Sequence, residues 1–472
     1  MQIEQLYTGC LSQGAYYIES NGEAVVIDPL RETAPYLQRA KRDKATITYI
    51  FETHFHADFV SGHLDLSQKT GAAIVFGPNA APSFPIHAAK DGEILSLGNI
   101  KIKVLHTPGH TMESTCYLLI DEEGKEKALF SGDTLFIGDV GRPDLAQKVK
   151  AELTEDILAG HLYDSLRNKI MPLADDIIVY PAHGAGSSCG KNLGSETFST
   201  IGTQKQTNYA LQPQTKEDFI IAVTDGLAAP PQYFPINAKI NKEGYESLDT
   251  VLANGLKPLT VQEFKEKIAT FEPIILDTRN ANVFTQGFVP GSISIGLEGR
   301  FAEFAGSILP FDQAILLVCE PGTEKESIVR LARVGFENII GHLAGGFNAW
   351  ATANETIDLI IDVEADELAM DIPFDPNMVI VDVRKTSEFD KGHLKEALTI
   401  PLDELTDPAS MANFDDNQNI YIHCAGGYRS VIAISLLKKN GYTNLIDVAG
   451  GFAALSETAI PKTTYVCPTT LK

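Results

Sequence analysis

Three stretches of this chain occur twice. Ile274-Ile-Leu-Asp-Thr-Arg279 returns as Val379-Ile-Val-Asp-Val-Arg384, and Leu316-Leu-Val-Cys319 returns as Tyr421-Ile-His-Cys424. Ala344-Gly-Gly-Phe-Asn-Ala-Trp350 returns as Ala449-Gly-Gly-Phe-Ala-Ala-Leu455. Every pair stands 105 residues apart. A repeat of this length means two versions of one domain, each of about 100 residues. A chain of 472 residues is also too long for one core, so a further domain must precede the repeats. The pattern weakens over 212–257, where Ala228-Ala-Pro-Pro-Gln-Tyr-Phe-Pro interrupts it, and a boundary is expected near residue 250. The expected division is 1–250, 251–355 and 356–472. An acidic segment, 354–376, is expected to join the repeats over the surface, with Leu359-Ile-Ile opening the second repeat as a strand.

The first 250 residues are organised around Glu52-Thr-His-Phe-His-Ala-Asp-Phe-Val-Ser-Gly-His63. The β-branched run 46–51 before it reads as a buried strand, and 64–69 after it as a helix. His54, His56 and Asp58 stand at alternate positions, which in an extended segment turns them to one side. Nitrogen and oxygen donors converging on one point are what a divalent cation requires. Further strands are expected over 15–19, 24–29, 72–76, 100–105, 114–120, 127–133 and 176–183, with a helix over 33–42. Several of them end in polar clusters: His106-Thr-Pro-Gly-His110, Ser131-Gly-Asp133 and Pro181-Ala-His183. Strands that deliver donors from their ends suit a layered α/β sandwich with a site along one edge.

Composition narrows the partners. The formal charge of −24, from 62 acidic and 38 basic residues, argues against nucleic acid or an anionic membrane surface. No apolar run approaches a membrane span, and the N-terminus lacks a signal-peptide pattern, so the cytoplasm is the expected compartment. A homo-oligomer is compatible with the sequence. The six cysteines, Cys10, Cys116, Cys189, Cys319, Cys424 and Cys467, form no C-x-x-C pair. That pattern argues against structural zinc and a disulfide scaffold, leaving individual thiols with individual roles.

The motifs Thr53-His-Phe-His-Ala-Asp58, Thr107-Pro-Gly-His110, Ser131-Gly-Asp133-Thr and Pro181-Ala-His183, in this order, resemble the metallo-β-lactamase fold family. The resemblance implies an αββα sandwich. Hydrolases of that fold usually read H-x-H-x-D-H and hold two metals. Here Phe59 replaces the last histidine with a ring that cannot ligate, and a one-metal site is expected. The resemblance to the persulfide dioxygenase branch of the fold then implies His54, His110 and Asp133 as ligands of one Fe(II) per chain. His56, Asp58 and His183 would orient those ligands or bound water from behind. Two histidines and a carboxylate leave positions open for O₂ and substrate, although the ligand set alone admits manganese or zinc. In the same branch an arginine lies at the substrate end of a stretch like Asp133-Thr-Leu-Phe-Ile-Gly-Asp-Val-Gly-Arg142-Pro-Asp144. Arg142 either holds an anionic substrate or steadies its loop through Asp144. Cys189, in the glycine-rich stretch after His183, is either a persulfide relay or an inert packed thiol.

The two repeats resemble rhodanese domains, so the fold class expected is α/β throughout: a metallo-β-lactamase-like sandwich and two rhodanese-like domains. In the second repeat the loop Cys424-Ala425-Gly426-Gly427-Tyr428-Arg429-Ser430 follows a strand and precedes a helix over 431–439. Backbone N–H groups of such a loop stabilise a thiolate and a bound anion, Arg429 adds cationic charge, and Cys424 is the expected sulfur carrier. The first repeat reads Cys319-Glu-Pro-Gly-Thr-Glu-Lys. Pro321 lacks an N–H, and Glu320 and Glu324 bring negative charge, Glu324 in the register of Arg429. That repeat is expected to be inactive, with a raised Cys319 pKa. Cys10, Cys116 and Cys467 are expected to be structural. The whole chain looks like the persulfide dioxygenase–sulfurtransferase fusions of bacterial sulfide detoxification. The resemblance implies thiol persulfides, O₂, sulfite and thiosulfate as reactants, with sulfur flux in either direction. The alternative is a dinuclear zinc thioester hydrolase of the glyoxalase II type with attached rhodanese domains.

Overall fold

The computed structural model describes residues 1–145, 153–227, 229–412, 414–415 and 417–463, so Cys467 and Ala228 lie outside the described residues. Two compact units are present, Met1–Val251 with Val329–Glu337, and Leu252–Ile328 with Asn338–Lys472.

The first unit holds two six-stranded sheets. β1 (Gln2–Thr8), β2 (Gln13–Ser20), β3 (Glu23–Ile27), β4 (Thr46–Phe51), β5 (Ala73–Phe76) and β6 (His87–Ala88) neighbour one another in chain order. So do β7 (Ile94–Leu97), β8 (Ile100–His106), β9 (Thr115–Ile120), β10 (Glu126–Gly132), β11 (Ile178–Pro181) and β12 (Ser199–Thr200). Alternation along the strands sorts their side chains into layers. Tyr16, Ile18, Val25 and Ile27 meet Ile102, Val104, Tyr117 and Leu119 in a core between the sheets. Ala15, Tyr17, Ala24 and Val26 face away, onto Tyr36 and Ala40 of helix Ala34–Asp43 and Leu66 of helix His63–Thr70. Leu118, Leu129 and Val179 pack outward against Ala159 and Leu162 of helix Glu155–Ser165. The result is the αββα sandwich expected from the sequence.

Strand direction places the donors. β3 and β4 are parallel, β10 and β11 are parallel, and β8 and β10 both oppose β9. Residues following β3, β4, β8, β10 and β11 carry Asp28, His54, His110, Asp133 and His183. Gly132, at the end of β10, has φ +54, and a Cβ there would lie 2.7 Å from the Thr53 Cβ. Only glycine admits both that conformation and that approach, which brings Asp133 beside His54.

The second unit holds two five-stranded sheets of identical order, as the repeat requires. β13 (Pro258–Leu259), β14 (Ile274–Asp277), β15 (Ile293–Ser294), β16 (Ile315–Val318) and β17 (Ile339–Leu343) lie in the order β13-β17-β16-β14-β15. β18 (Ile361–Val363), β19 (Met378–Asp382), β20 (Leu398–Thr399), β21 (Asn419–His423) and β22 (Leu445–Val448) lie as β18-β22-β21-β19-β20. All neighbouring pairs are parallel. The acidic segment 354–376 is more than a surface connection. It supplies β18, two residues beyond Leu359, and helix Ala365–Asp371, whose Ala365 and Leu368 enter the core of the second repeat. Asp277 and Arg279 form a fork in the first repeat, with Arg279 Nη2 donating to the Gly287 carbonyl at 2.9 Å. Asp382, Arg384 and Gly392 reproduce the same arrangement, with Arg384 Nη2 donating at 2.8 Å.

Candidate functional site

His54, His56 and Asp58 do not converge on one point. The segment after β4 bends rather than continuing as a strand, and it sends the three side chains into three buried clusters. These are His54 with His110 and Asp133, Asp58 with His183 and Cys189, and His56 with Asp28 and Glu52. The expectation from alternation is thereby corrected, because the rule holds only while the backbone stays extended.

The first cluster is prepared for a cation. His110 Nε2 lies 3.4 Å and His54 Nε2 3.8 Å from Asp133 Oδ2. That carboxylate oxygen is buried and accepts no hydrogen bond among the described residues. His110 Nδ1 lies 2.8 Å from the Arg142 carbonyl, which can only accept, so Nδ1 carries a proton and Nε2 is the ring nitrogen turned toward Asp133. The Thr53 hydroxyl donates to Asp28 Oδ2 at 2.9 Å, which leaves its oxygen to accept from His54 Nδ1 at 3.0 Å. Nδ1 carries the proton here too. Burial, and then the neighbouring His56, hold the His54 pKa well below that of an ordinary imidazole, so it stays neutral. Burial opposes charge on Asp133, but His183 and His54 overcome it and keep the carboxyl ionised well below the usual range. Two imidazole nitrogens and a carboxylate oxygen without a hydrogen-bond partner among the described residues fit a divalent metal.

His183 spans two carboxylates. Its Nδ1 lies 2.8 Å from Asp133 Oδ1 and its Nε2 2.8 Å from Asp58 Oδ2. Despite burial, these carboxylates raise its pKa well above the ordinary value. His56 Nε2 lies 3.1 Å from Asp28 Oδ1 and 3.4 Å from Glu52 Oε2. Burial works against its charge, yet Asp28 leads in raising the pKa to about 10. Phe59 is fully buried, with its ring 4.3 Å from that of His56. Asp28 and Glu52 were not singled out in the sequence, although Asp28 ends a strand on the same edge.

Arg142 is buried, and its guanidinium closes on Asp144 with two contacts of 2.6 Å, while Nη1 donates to the Ser188 carbonyl at 3.3 Å. Its backbone N–H donates to the Cys189 carbonyl at 2.9 Å, and its own carbonyl faces His110. The contact with Asp144 is the one that the loop-steadying role requires. Cys189 is 1 % exposed, and burial, with Asp58 and Asp133 nearby, drives its thiol pKa well above the usual value.

The second unit carries the thiol site. Cys424 follows β21, and the Gly427 N–H donates to its Sγ at 3.2 Å. Helix Tyr428–Lys439 begins there, and Ser430 Oγ is 3.8 Å from the sulfur. Arg429 is held in a fork by Glu388, at 2.6 and 2.9 Å, so its charge is matched by a carboxylate that the sequence did not reveal. The Tyr428 hydroxyl donates at 2.6 Å to the Gly296 carbonyl of the first repeat, and its ring lies 5.6 Å from Phe304. Ala425 and Gly426 complete the loop, with no Cβ-level obstruction at Gly426. In the first repeat the Cys319 thiol is pushed up to about 11, chiefly by burial rather than by Glu320 and Glu324 as expected. Cys116 is buried as expected, and burial raises its thiol to about 11.

The profile of the metallo-beta-lactamase superfamily matches residues 8–183, and that of the rhodanese-like domain matches 260–353 and 364–458. A crystal structure of a metallo-beta-lactamase from Staphylococcus aureus subsp. aureus COL is 33 % identical. It covers 73 % of this chain and 98 % of its own, with a TM-score of 0.64. A hydroxyacylglutathione hydrolase of Francisella tularensis subsp. novicida is 35 % identical over 185 residues, 39 % of this chain and 68 % of the relative. The chain belongs to the metallo-beta-lactamase superfamily. This superfamily member carries two rhodanese-like domains after its metal-binding fold. Hydroxyacylglutathione hydrolase GloC of Haemophilus influenzae is 28 % identical over 231 residues, 44 % of this chain and 97 % of that relative. No helix among the described residues is long and apolar enough to cross a membrane.

Proposed function

We propose that this chain is a persulfide dioxygenase joined to a thiosulfate sulfurtransferase, with one Fe(II) at His54, His110 and Asp133. The observation that carries the reading is Phe59, which stands fully buried where two-metal members of the fold have a ligand. Two imidazoles and one carboxylate oxygen without a hydrogen-bond partner among the described residues remain as a cluster, the donor set typical of non-haem Fe(II) oxygenases.

Bound there, Fe(II) supplies the redox chemistry that joins O₂ to the outer sulfur of a persulfide. The net change is R–S–SH + O₂ + H₂O giving R–SH, sulfite and two protons. Asp133 and the two Nε2 atoms hold the metal, while Thr53 and the Arg142 carbonyl fix the tautomers of His54 and His110. His183 holds the other Asp133 oxygen and prevents the carboxylate from rotating. In the thiol domain, Cys424 carries a sulfane sulfur as Cys–S–S⁻. Sulfite takes the outer sulfur: the persulfide S–S bond breaks, the S–S bond of thiosulfate forms, and Cys424 leaves as thiolate. The Gly427 N–H, aimed at Sγ, stabilises that thiolate. The transfer runs equally in reverse. Linking both sites in one chain raises the effective concentration of the shared intermediate. The expected reactants remain thiol persulfides, O₂, sulfite and thiosulfate, and the expected compartment is the cytoplasm.

The hydrolase names of the sequence relatives favour a second reading, zinc-dependent thioester hydrolysis. Oxygen uptake decides between them. Protein loaded anaerobically with iron is expected to consume O₂ on thiol persulfides and to release sulfite. Two zinc ions per chain, thioester cleavage and no O₂ uptake would refute the dioxygenase reading.

A further inference from the structure

Residues 52–60 lie outside every helix and strand, so their backbone polar groups need partners from elsewhere in the fold. Asn241, in helix Phe234–Glu243 and 1 % exposed, supplies three of those partners. Its Nδ2 donates to the His56 carbonyl at 2.8 Å and to the Phe59 carbonyl at 2.7 Å. Its Oδ1 accepts from the Ser61 N–H at 2.8 Å. Both carbonyls can only accept and the N–H can only donate, so the orientation of the amide is fixed and both its protons are used.

We propose that Asn241 is a positioning residue of the metal cluster, which holds the His54 ring in place through two further rings. The proposal rests on His54, His110 and Asp133 as metal ligands, and not on the reaction performed there.

The Phe59 ring lies 4.3 Å from that of His56, and the His56 ring lies 4.2 Å from that of His54. Thr53 meets His54 at Nδ1 across 3.0 Å. A hydrogen bond at one atom leaves a ring free to swing about it, and close packing against a second ring removes that freedom. His56 is itself held at both ends, its Nε2 lying 3.1 Å from Asp28 and its carbonyl taken by Asn241. By binding the carbonyls of His56 and Phe59 together, Asn241 keeps the spacing between their rings. Phe59 is then the outer end of a packed row that terminates on a ligand.

The same helix carries its own control. Asn237 stands one turn earlier on the same face and is fully buried. Neither its Nδ2 nor its Oδ1 has a hydrogen-bond partner among the described residues. Two buried amides of one helix thus differ in whether they bind the loop.

Metal-depleted full-length protein, titrated anaerobically with Co(II), reports the cluster through the visible ligand-field bands of cobalt. Asn241→Leu removes all three hydrogen bonds at similar volume. Its cobalt affinity is expected to fall roughly tenfold or more, with shifted bands, in protein that is still folded. Asn241→Asp keeps the acceptor for Ser61 but turns an oxygen toward two carbonyls, and a comparable loss is expected. Asn237→Leu should leave affinity and bands unchanged. Unaltered cobalt binding in folded Asn241→Leu overturns the proposal. So does an equal loss in Asn237→Leu, which would mark packing alone. If the Asn241 variants fail to fold, hydrogen exchange of the wild-type protein decides. The backbone amides of 56–62 are expected to be protected without metal, because Asn241 binds the loop in its absence, and free exchange there overturns the proposal. None of these readouts consumes oxygen. Wild-type protein that binds cobalt but, loaded with iron, takes up no O₂ on persulfides refutes the dioxygenase reading and leaves the role of Asn241 standing.

Discussion

The backbone N–H of Gly427 points at Cys424 Sγ across 3.2 Å. At the equivalent place in the first repeat, the Gly322 N–H is taken by the Glu324 carboxylate at 2.9 Å. One repeat aims the loop donor at its sulfur, and the other spends it on a side chain of the same loop. The Cys319 sulfur is left facing Ser327 Oγ at 3.5 Å, with a thiol pKa near 11. Cys424→Ser is therefore expected to lower sulfur transfer to sulfite by about 1,000-fold or more, and Cys319→Ser by less than about twofold. Thiosulfate formation, followed with a persulfide donor and added sulfite, separates the two.

His110→Ala has the opposite signature. With His54, His110 and Asp133 as the proposed ligands, loss of one is expected to abolish iron retention and persulfide-dependent O₂ uptake, with sulfur transfer by Cys424 unchanged. Metal content by mass spectrometry and an oxygen electrode check both halves. Retained O₂ uptake in this variant would remove His110 from the site.

Tyr428 ties the Cys424 loop to the first repeat through its bond to the Gly296 carbonyl. Tyr428→Phe should cost about 1 kcal/mol of stability. It should also loosen the loop, raising the KM for sulfur transfer several-fold while O₂ uptake is unaffected. Steady-state kinetics of the two half-reactions would show the split.

Gly132→Ala is expected to destabilise the first unit by about 1–3 kcal/mol, because it forces both a positive φ and a clash with Thr53. Since Thr53 also holds His54, iron affinity should fall with stability. Thermal unfolding and equilibrium metal binding test the pair.

Asp447 offers a pH test in the second unit. Burial raises its pKa from 3.8 to about 6, so the folded state resists its ionisation more than the unfolded chain does. Stability contributed by the protonated form is present below the unfolded value and is lost as pH rises from 3.8 through about 6. Asp447→Asn should therefore stabilise the protein near neutral pH by up to about 3 kcal/mol, with the gain vanishing toward the unfolded pKa. Urea unfolding of both proteins across that range reads the difference.

Local patterns carried much of this structure. The run 46–51 is a strand at Thr46–Phe51, and the expected helix 33–42 lies at Ala34–Asp43. The two C-terminal sheets share one strand order because their sequences share one pattern. Apolar periodicity and an internal repeat are properties of neighbouring residues, and they were legible without coordinates. The residues gathered as His54, His110 and Asp133 were also marked by the strand ends that carry them. What the tertiary structure alone decided is where side chains point once the backbone leaves regular structure. Bends after β4 part His54, His56 and Asp58, Arg142 closes on Asp144, and Cys189 enters the pocket beside His183. Glu388, which neutralises Arg429, stands 41 residues away from it. Such pairings arise when the chain brings distant loops to one sheet edge, where burial forces each charge to find a partner. No periodicity within a single segment encodes them.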